Sequence, residues 1–392
     1  MISAALVITL SCVAVVFTVY GLYVVLVLRN AKTKEYLKLI DQALAKSSNP
    51  QSLPNVTVLI PTYNESAVIS RKLQNIAELE YPLEKIDVIL VDDCSTDNTS
   101  EIAEKMLRNL GLQGRVVKNP ERMGVNVSYN KGVPSANSDF ILRTDADITI
   151  APDALEKAVR IISNVAEIGG VAGMTPPVTD QETAATKVER SYKTLFDKMG
   201  IAESALHSAF LVYGGFALLR KSCFSPIPID RGSTDGNILL SVVKKGFRYI
   251  CVPCAFSYET ISHRFTEQVR QKVRRASRLI QSVLINRDVM FKKELQEFGM
   301  VIFPLRLAML TICPVLVLVG LISAFFLVLS FSEVLCALST FAFCFFLYLG
   351  TKLNMGVLNS VTSFFIHQFY LLFGLFFLGK SMRTWKGTSR HQ

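Results

Sequence analysis

Two aspartates separated by one residue, Asp145 and Asp147, follow the apolar residues 140–142. Residues i and i+2 of a strand point to the same face, so this spacing predicts two carboxylates on one face at a strand end. Hard oxygen ligands of this kind suit Mg²⁺ or Mn²⁺, and such an ion would neutralise a diphosphate. Aspartate pairs also occur as ordinary turn residues, so the neighbouring segments must decide between a metal site and a simple turn.

The elements that must position this pair alternate along the chain. Apolar β-branched segments predict strands, and amphipathic segments between them predict helices. Such alternation indicates an α/β domain with a mainly parallel, doubly wound sheet. Ligands bind outside the carboxyl ends of the strands of such sheets. Three polar segments fall at these ends, namely 61–65, Asp92-Asp93 and 145–147.

These segments resemble the motifs of the family 2 glycosyltransferases, which have a GT-A fold and act on nucleotide-sugars. The resemblance covers roughly residues 54–280. It implies that Asp93 contacts the nucleobase, that Asp147 binds the metal ion, and that Asp145 faces the ribose or the metal. The nucleotide-sugar site implied in this way comprises Pro61, Thr62, Tyr63, Glu65, Asp93, Asn130 and Asp145.

Two further segments resemble motifs of the membrane-integrated members of this family. Ser233-Thr-Asp235 is similar to their T-E-D region, which implies that Asp235 is the catalytic base. An N-cap of the following helix, 236–245, is the alternative role for this aspartate. The segment from Gln271 to Arg275 is similar to Q-x-x-R-W, which implies catalytic roles for Gln271 and Arg274.

Departures from the family pattern bear on the product. Arg275 replaces the Trp of Q-x-x-R-W, and that Trp belongs to the acceptor platform of polymer synthases. Transfer of a single sugar is therefore favoured over a processive polysaccharide synthase of the cellulose, chitin or hyaluronan type. A membrane protein with a non-catalytic nucleotide-binding domain is a second alternative.

The chemistry of transfer needs three groups. Mg²⁺ or Mn²⁺ and cationic side chains, with Arg274, Arg275 and Arg278 as candidates, stabilise the leaving nucleoside diphosphate. Asp235 accepts the proton of the attacking hydroxyl. We therefore expect transfer with inversion from a nucleotide-sugar, with UDP-sugars first, to a lipid-linked sugar or another membrane-associated hydroxyl.

The apolar residues of the chain are concentrated at its two ends. The 28 residues from Met1 to Leu28 contain no charge and are long enough to cross a hydrocarbon core of about 30 Å. We divide the chain into an N-terminal transmembrane helix (1–28), a GT-A domain (29–262), a basic amphipathic interfacial segment (263–297), a C-terminal transmembrane region with about three spans (298–379) and a basic tail (380–392).

The distribution of basic residues predicts that the GT-A domain is cytoplasmic, because Lys and Arg are in excess beside the apolar segments. The net charge of +10 indicates contact with anionic lipids, and the sequence lacks the aromatic and basic pattern of an RNA-binding module, so no nucleic acid partner is expected. Three C-terminal spans would put the basic tail outside, and a re-entrant segment or an extra crossing would resolve this conflict. Arg306 lies near the end of a span, where we expect it to reach the membrane surface.

Overall fold

The computed structural model describes residues 2–46, 53–178, 184–210, 215–260, 265–352 and 356–379. The chain begins with an apolar helix, α1 (Ile2–Tyr23), which continues as a π-helical turn to Arg29. A short amphipathic helix, α2 (Thr33–Ala45), then leads into the central domain. Tyr36 on α2 donates a hydrogen bond of 2.7 Å to the carbonyl oxygen of Cys251, which fixes α2 to that domain.

Strands and helices alternate in the first part of the central domain. Its first two strands are buried apolar segments with many β-branched residues, as expected for strands covered on both faces. The elements are β1 (Val56–Thr62), α3 (Ile69–Ala77), β2 (Ile86–Asp92), α4 (Thr99–Asn109), β3 (Gln113–Lys118), α5 (Val125–Ser135), β4 (Phe140–Arg143), β5 (Ile148–Ile150) and α6 (Ala154–Asn164).

The second part of the domain is less regular. Its elements are β6 (Ile168–Met174), β7 (Pro177–Val178), α7 (Ala184–Leu206), β8 (Ala217–Arg220), α8 (Thr234–Lys244), β9 (Arg248–Thr260) and α9 (Phe265–Ile285). β8 begins at Ala217, and residues 211–214 before it lie outside the described part.

The described strands form one mixed sheet in the order β3-β2-β1-β4-β8-β6-β9-β5, with β7 beside β9. β1, β2, β3 and β4 are mutually parallel, whereas β8 is antiparallel to both β4 and β6. The carboxyl ends of β1, β2 and β4 therefore meet at one edge, and the polar segments of the sequence meet there with them.

Three helices of the described chain are long and apolar enough to cross a membrane: Ile2–Arg29, Phe298–Leu329 and Glu333–Gly350. In the structure the last two are α10 (Phe303–Leu329), preceded by a π-helical turn, and α11 (Glu333–Lys352). α1 packs along α10, where Ser323 donates a hydrogen bond of 2.8 Å to the carbonyl oxygen of Ala5.

Arg306 does not reach toward a membrane surface, so this expectation is wrong. Its side chain is buried, and its Nε donates a hydrogen bond of 2.6 Å to Oε1 of Glu203, a residue of α7. The hydroxyl of Tyr23 at the end of α1 donates to the same oxygen at 2.9 Å. A buried cation needs a partner because it has lost its hydration. These bonds to Glu203 consequently tie both apolar helices, α1 and α10, to the central domain.

The last described helix, α12 (Gly356–Phe376), lies against the central domain. The ring of His367 is 6.4 Å from that of Phe196 on α7, between centroids. The ammonium group of Lys272 on α9 is 5.5 Å from the centroid of the Tyr370 ring. Contacts with α7 and α9 thus continue along the second half of α12.

Candidate active site

The aspartate pair lies in a turn rather than in a strand. β4 ends at Arg143 and β5 begins at Ile148, whose N–H donates a hydrogen bond of 3.3 Å to the carbonyl oxygen of Asp145. The strand-face argument for Asp145 and Asp147 is therefore corrected. The turn still follows the carboxyl end of β4. We call the space at the carboxyl ends of β1, β2 and β4 the cleft. The side chain of Asp145 is 41% exposed, so a ligand in this cleft can reach its carboxylate.

A buried lysine that the sequence analysis missed supports this turn. Nζ of Lys72 on α3 donates hydrogen bonds to Oγ1 of Thr144 at 2.8 Å and to the carbonyl oxygen of Ile148 at 2.7 Å. Burial lowers the pKa of Lys72 to about 7, and the carboxylates of Asp145 and Asp147 act in the opposite direction. The amphipathic pattern of α3 indicated that Lys72 is buried, because this lysine is on the same helix face as Ile69, Leu73 and Ile76.

A buried arginine joins the metal motif to the predicted base. Arg143 is the last residue of β4, and its guanidinium forms an ion pair with Asp235. The same guanidinium is 3.5 Å from Oδ1 of Asp145 and lies over the ring of Tyr129, 5.3 Å from its centroid. Burial alone would lower the pKa of Arg143, but the carboxylates of Asp235 and Asp145 raise it above its ordinary value. Arg143 therefore holds two carboxylates from different elements in one site.

Asp235 is not the N-cap of its helix, so that alternative is wrong. α8 begins at Thr234, and the hydroxyl of Ser233 accepts the capping hydrogen bond from the N–H of Gly236 at 3.1 Å. Asp235 lies in the first turn with a side chain that is 31% exposed. Its carboxylate is thus available for the pair with Arg143 and for a group in the cleft.

The carboxylate of Asp93 holds the loop between β3 and α5. Its Oδ1 accepts hydrogen bonds from Nδ2 of Asn119 at 2.9 Å and from the N–H of Met123 at 2.8 Å. Its Oδ2 accepts from the N–H of Gly124 at 2.8 Å. Contact of Asp93 with a nucleobase remains a prediction, and these bonds give the residue a second role in shaping the wall of the cleft.

That wall and the end of β1 contain the other predicted nucleotide contacts. The guanidinium of Arg122 lies over the ring of Tyr63, 3.7 Å from its centroid. Pro61 and Thr62 are the last residues of β1, and the carbonyl oxygen of Thr62 accepts a hydrogen bond of 2.8 Å from the N–H of Asp93. The N–H of Glu65 donates to Oγ1 of Thr99 at 2.8 Å. The segment 61–65 is thereby joined to Asp93 and Thr99 at one edge of the cleft.

Asn130 makes two hydrogen bonds that the resemblance does not indicate. Its Nδ2 donates a hydrogen bond of 2.7 Å to the carbonyl oxygen of Ile227, and its Oδ1 accepts one of 2.7 Å from the N–H of the same residue. The amide is therefore committed to the segment that precedes Asp235. The expected contact of Asn130 with the nucleotide stays a prediction, and these bonds give the residue a structural role.

Cationic side chains of α9 face the two carboxylates. Burial lowers the pKa of Arg274 to about 10, and the like charges of Arg275 and Arg278 contribute to this shift. The carboxylate of Asp145 raises the pKa of Arg274 and so acts in the opposite direction. Burial also lowers the pKa of Arg278, against the influence of Asp235. Arg275 points elsewhere, since it is exposed and forms a salt bridge of 3.1 Å with Glu259. Gln271 is half-buried on the same helix. Arg274 and Arg278 are consequently the better candidates for a diphosphate.

The donor groups of the cleft suit Mg²⁺ or Mn²⁺. Among the described residues no group of three or more metal-ligating side chains comes together. Mg²⁺ is nevertheless commonly held by one or two carboxylates together with substrate phosphates and water. Asp145 and Asp147 could supply those carboxylates, so the residues fit an ion that arrives with a nucleoside diphosphate.

A comparison with solved structures defines the class of this fold. The mannosyltransferase PcManGT of Pyrobaculum calidifontis, solved with GDP-Man and Mn²⁺, superposes with a TM-score of 0.72 over 95% of this chain and 98% of that protein. The two sequences are 21% identical, so the likeness concerns the fold alone. The central domain has the GT-A glycosyltransferase fold.

Sequence comparisons relate the central domain to one family. Residues 57–227, somewhat less than half of the chain, match the model of glycosyl transferase family 2. The poly-beta-1,6-N-acetyl-D-glucosamine synthase of Staphylococcus aureus is 25% identical over 234 residues, which cover 58% of this chain and 55% of that synthase. The probable glycosyltransferase YdaM of Bacillus subtilis is 31% identical over 141 residues, 36% of this chain and 34% of YdaM. The match thus spans about half the length of the synthase.

The structural role of Asn130, which is to hold the backbone of Ile227, can be tested by replacing Asn130 with alanine. Asn130→Ala leaves the N–H and carbonyl of Ile227 without partners, which should lower the free energy of unfolding by about 1–3 kcal/mol. The affinity for Mn²⁺ and a nucleoside diphosphate should stay within about twofold. Thermal unfolding in detergent and calorimetric titration measure the two quantities.

Asn75→Ala is the matched stability control, because Asn75 makes the same two hydrogen bonds, each 2.8 Å, with the backbone of Ile150. A nucleotide affinity reduced tenfold in Asn130→Ala, with unchanged thermal stability, would return Asn130 to the donor site.

Proposed function

We propose that this enzyme transfers a sugar, with inversion, from a nucleotide-sugar to the hydroxyl group of a membrane-associated acceptor. The observation that carries the proposal is the ion-pair arrangement around Arg143. It brings Asp145 of the metal motif and Asp235, the proposed base, to one guanidinium, although they are 90 residues apart in the chain. A donor held at the first aspartate would then have its anomeric carbon near the second.

The residues divide the work of the reaction. Asp235 accepts the proton of the acceptor hydroxyl as its oxygen attacks the anomeric carbon, a contribution typically worth about 10²–10⁴-fold in rate. The bond between that carbon and the nucleoside diphosphate breaks on the opposite side, which inverts the anomeric configuration. Arg274 and Arg278 stabilise the negative charge that develops on the diphosphate. Arg143 orients the carboxylate of Asp235 throughout.

Asp145 and Asp147 would hold Mg²⁺ or Mn²⁺, which supplies Lewis-acid stabilisation of the diphosphate when it is bound. UDP-sugars are the first donors to test, followed by GDP-mannose, the class of ligand present in the solved mannosyltransferase. A hydroxyl acceptor is favoured over a lipid phosphate because a phosphate is already an anion and needs no base.

A processive polysaccharide synthase is the second candidate. The observation in its favour is the sequence similarity to the poly-beta-1,6-N-acetyl-D-glucosamine synthase of Staphylococcus aureus. Arg275 opposes it, because this arginine occupies the position of the tryptophan in Q-x-x-R-W and pairs with Glu259. Product length distinguishes the two candidates.

The proposal predicts donor-specific release of a nucleoside diphosphate. Purified enzyme in proteoliposomes with native lipid extract would be given UDP- and GDP-sugars, each with Mn²⁺ or Mg²⁺. We expect one donor to be consumed, and we expect Asp147→Ala and Asp235→Asn to lower kcat by about 10²-fold or more. Asp235→Asn should still bind the nucleotide, since the base acts on the acceptor.

Two results would contradict this proposal. Wild-type enzyme that binds nucleotide with Mn²⁺ but turns over no donor would remove the transferase activity. Asp235→Asn with undiminished turnover would remove the role of the base.

For the membrane region, the position of α12 supports three crossings. α1, α10 and α11 would cross, while α12 would stay beside the central domain that it contacts. The basic tail after residue 379 would then lie on the same side as the central domain, in agreement with the positive-inside rule. This arrangement resolves the charge conflict without a further crossing.

The arrangement predicts how protease cleavage should be distributed in sealed proteoliposomes. A cleavable C-terminal tag and the central domain should be cut together or protected together, because they face the same compartment. A tag at the N-terminus should show the opposite pattern. Molecules with a cut tag and a protected central domain would place a crossing in α12 and refute the proposed topology.

A further inference from the structure

A buried glutamine lies between α12 and the segment that carries the proposed base. Gln281 on α9 is 6% exposed, and both groups of its amide are used. Its Nε2 donates a hydrogen bond of 2.9 Å to the carbonyl oxygen of Leu378, just after the end of α12. Its Oε1 accepts one of 3.0 Å from the N–H of Gly232, three residues before Asp235. One side chain therefore joins the last described helix to the base segment.

The residues 232–235, which we call the base segment, are held to α9 by several further hydrogen bonds. The carbonyl oxygen of Gly232 accepts a hydrogen bond of 2.9 Å from Nε of Arg278. The N–H of Ser233 donates to the carbonyl oxygen of Arg278 at 3.0 Å and to Oγ of Ser282 at 2.8 Å. Gly232 has a φ of +75°, and a Cβ there would lie 2.5 Å from Nδ2 of Asn237. The positive φ favours glycine at this position, and the hydrogen bonds from α9 define the backbone just before α8.

α12 in turn approaches α9 very closely. A Cβ added at Gly374 would lie 2.9 Å from the backbone nitrogen of Ser277 and 3.1 Å from Cβ of Ala276. A larger residue at 374 would push the two helices apart. The contact at Gly374 and the hydrogen bond at Leu378 are four residues apart in the chain, and together they fix the end of α12 against α9.

We propose that Gln281 is a positioning residue through which α12 holds the proposed base in place. The inference rests on the function proposed above and adds a reason why the apolar helix lies beside the catalytic domain. If α12 shifts away from α9, Gln281 loses its anchor at Leu378, and the N–H of Gly232 loses a defined acceptor. Asp235 then samples positions away from its pair with Arg143. Misplacing a reacting group by about 1 Å can lower a rate by about 10²-fold.

The inference is tested from both sides of the contact. Gln281→Met removes both hydrogen bonds at similar volume, and Gly374→Val separates α12 from α9 while Gln281 stays intact. Both variants should lower kcat about tenfold or more and leave the affinity for a nucleoside diphosphate with Mn²⁺ within about twofold. The Gln368→Met variant is the matched control, because Gln368 is an equally buried amide on α12 that instead donates to the hydroxyl of Tyr20 at 2.9 Å. We expect its kcat to stay near that of the wild type.

Hydrogen exchange supplies a readout that needs no turnover. The backbone N–H groups of Gly232 and Ser233 should exchange faster in Gln281→Met and in Gly374→Val than in Gln368→Met. If the wild type turns over no donor, the proposed function fails, yet the exchange result still tests the link from α12 to the base segment. Unchanged kcat and unchanged exchange in Gln281→Met would overturn the inference. So would equal loss of kcat and of thermal stability in Gln281→Met and Gln368→Met, because Gln281 would then only stabilise the fold.

Discussion

The arrangement of the site depends on one buried charge at the end of β4. Arg143 has a side chain that is only 6% exposed, and a guanidinium at such a position must be paired, because it has lost the water that would solvate it. Its partners come from two places: Asp145 in the next turn and Asp235 in the first turn of α8. Satisfying this one cation therefore brings the metal motif and the proposed base together.

The rest of the domain supports this arrangement from three sides. Lys72 holds the turn of the aspartate pair from α3. Asn130 holds the segment before Asp235 from α5, and Gln281 holds it from α9. Each of these side chains forms a hydrogen bond with at least one backbone atom, as buried polar groups often do. The carboxylates of Asp145 and Asp235 remain partly exposed, and these side chains support the segments that contain them.

The membrane region is part of the same structure. Glu203 on α7 accepts hydrogen bonds from Tyr23 of α1 and Arg306 of α10, so the first and second apolar helices meet at one buried carboxylate. α12 contacts the same domain through α7 and α9, and Gln368 joins it to Tyr20 of α1. These apolar helices are therefore packed directly on the domain that contains the candidate site.

How much of this could be predicted from the sequence depended on how local each signal was. The strands and the three polar segments at their ends followed from short patterns, which report on neighbouring residues. The GT-A fold followed from the resemblance to family 2 glycosyltransferases, and the structure confirmed it. The partners of Asn130 and Arg306 were missed because these partners, Ile227 and Glu203, are about a hundred residues away. No periodic pattern reports such a pairing.

The most direct test of the account is a double-mutant cycle between Arg143 and Asp235. Arg143→Met, Asp235→Asn and the combined variant would be compared in kcat for nucleotide release, after thermal unfolding has shown that each is folded. If Arg143 acts by positioning Asp235, each single variant loses activity, and the double variant is no slower than Asp235→Asn alone. Losses that multiply in the double variant would show that the two residues act independently, and the central claim would be wrong.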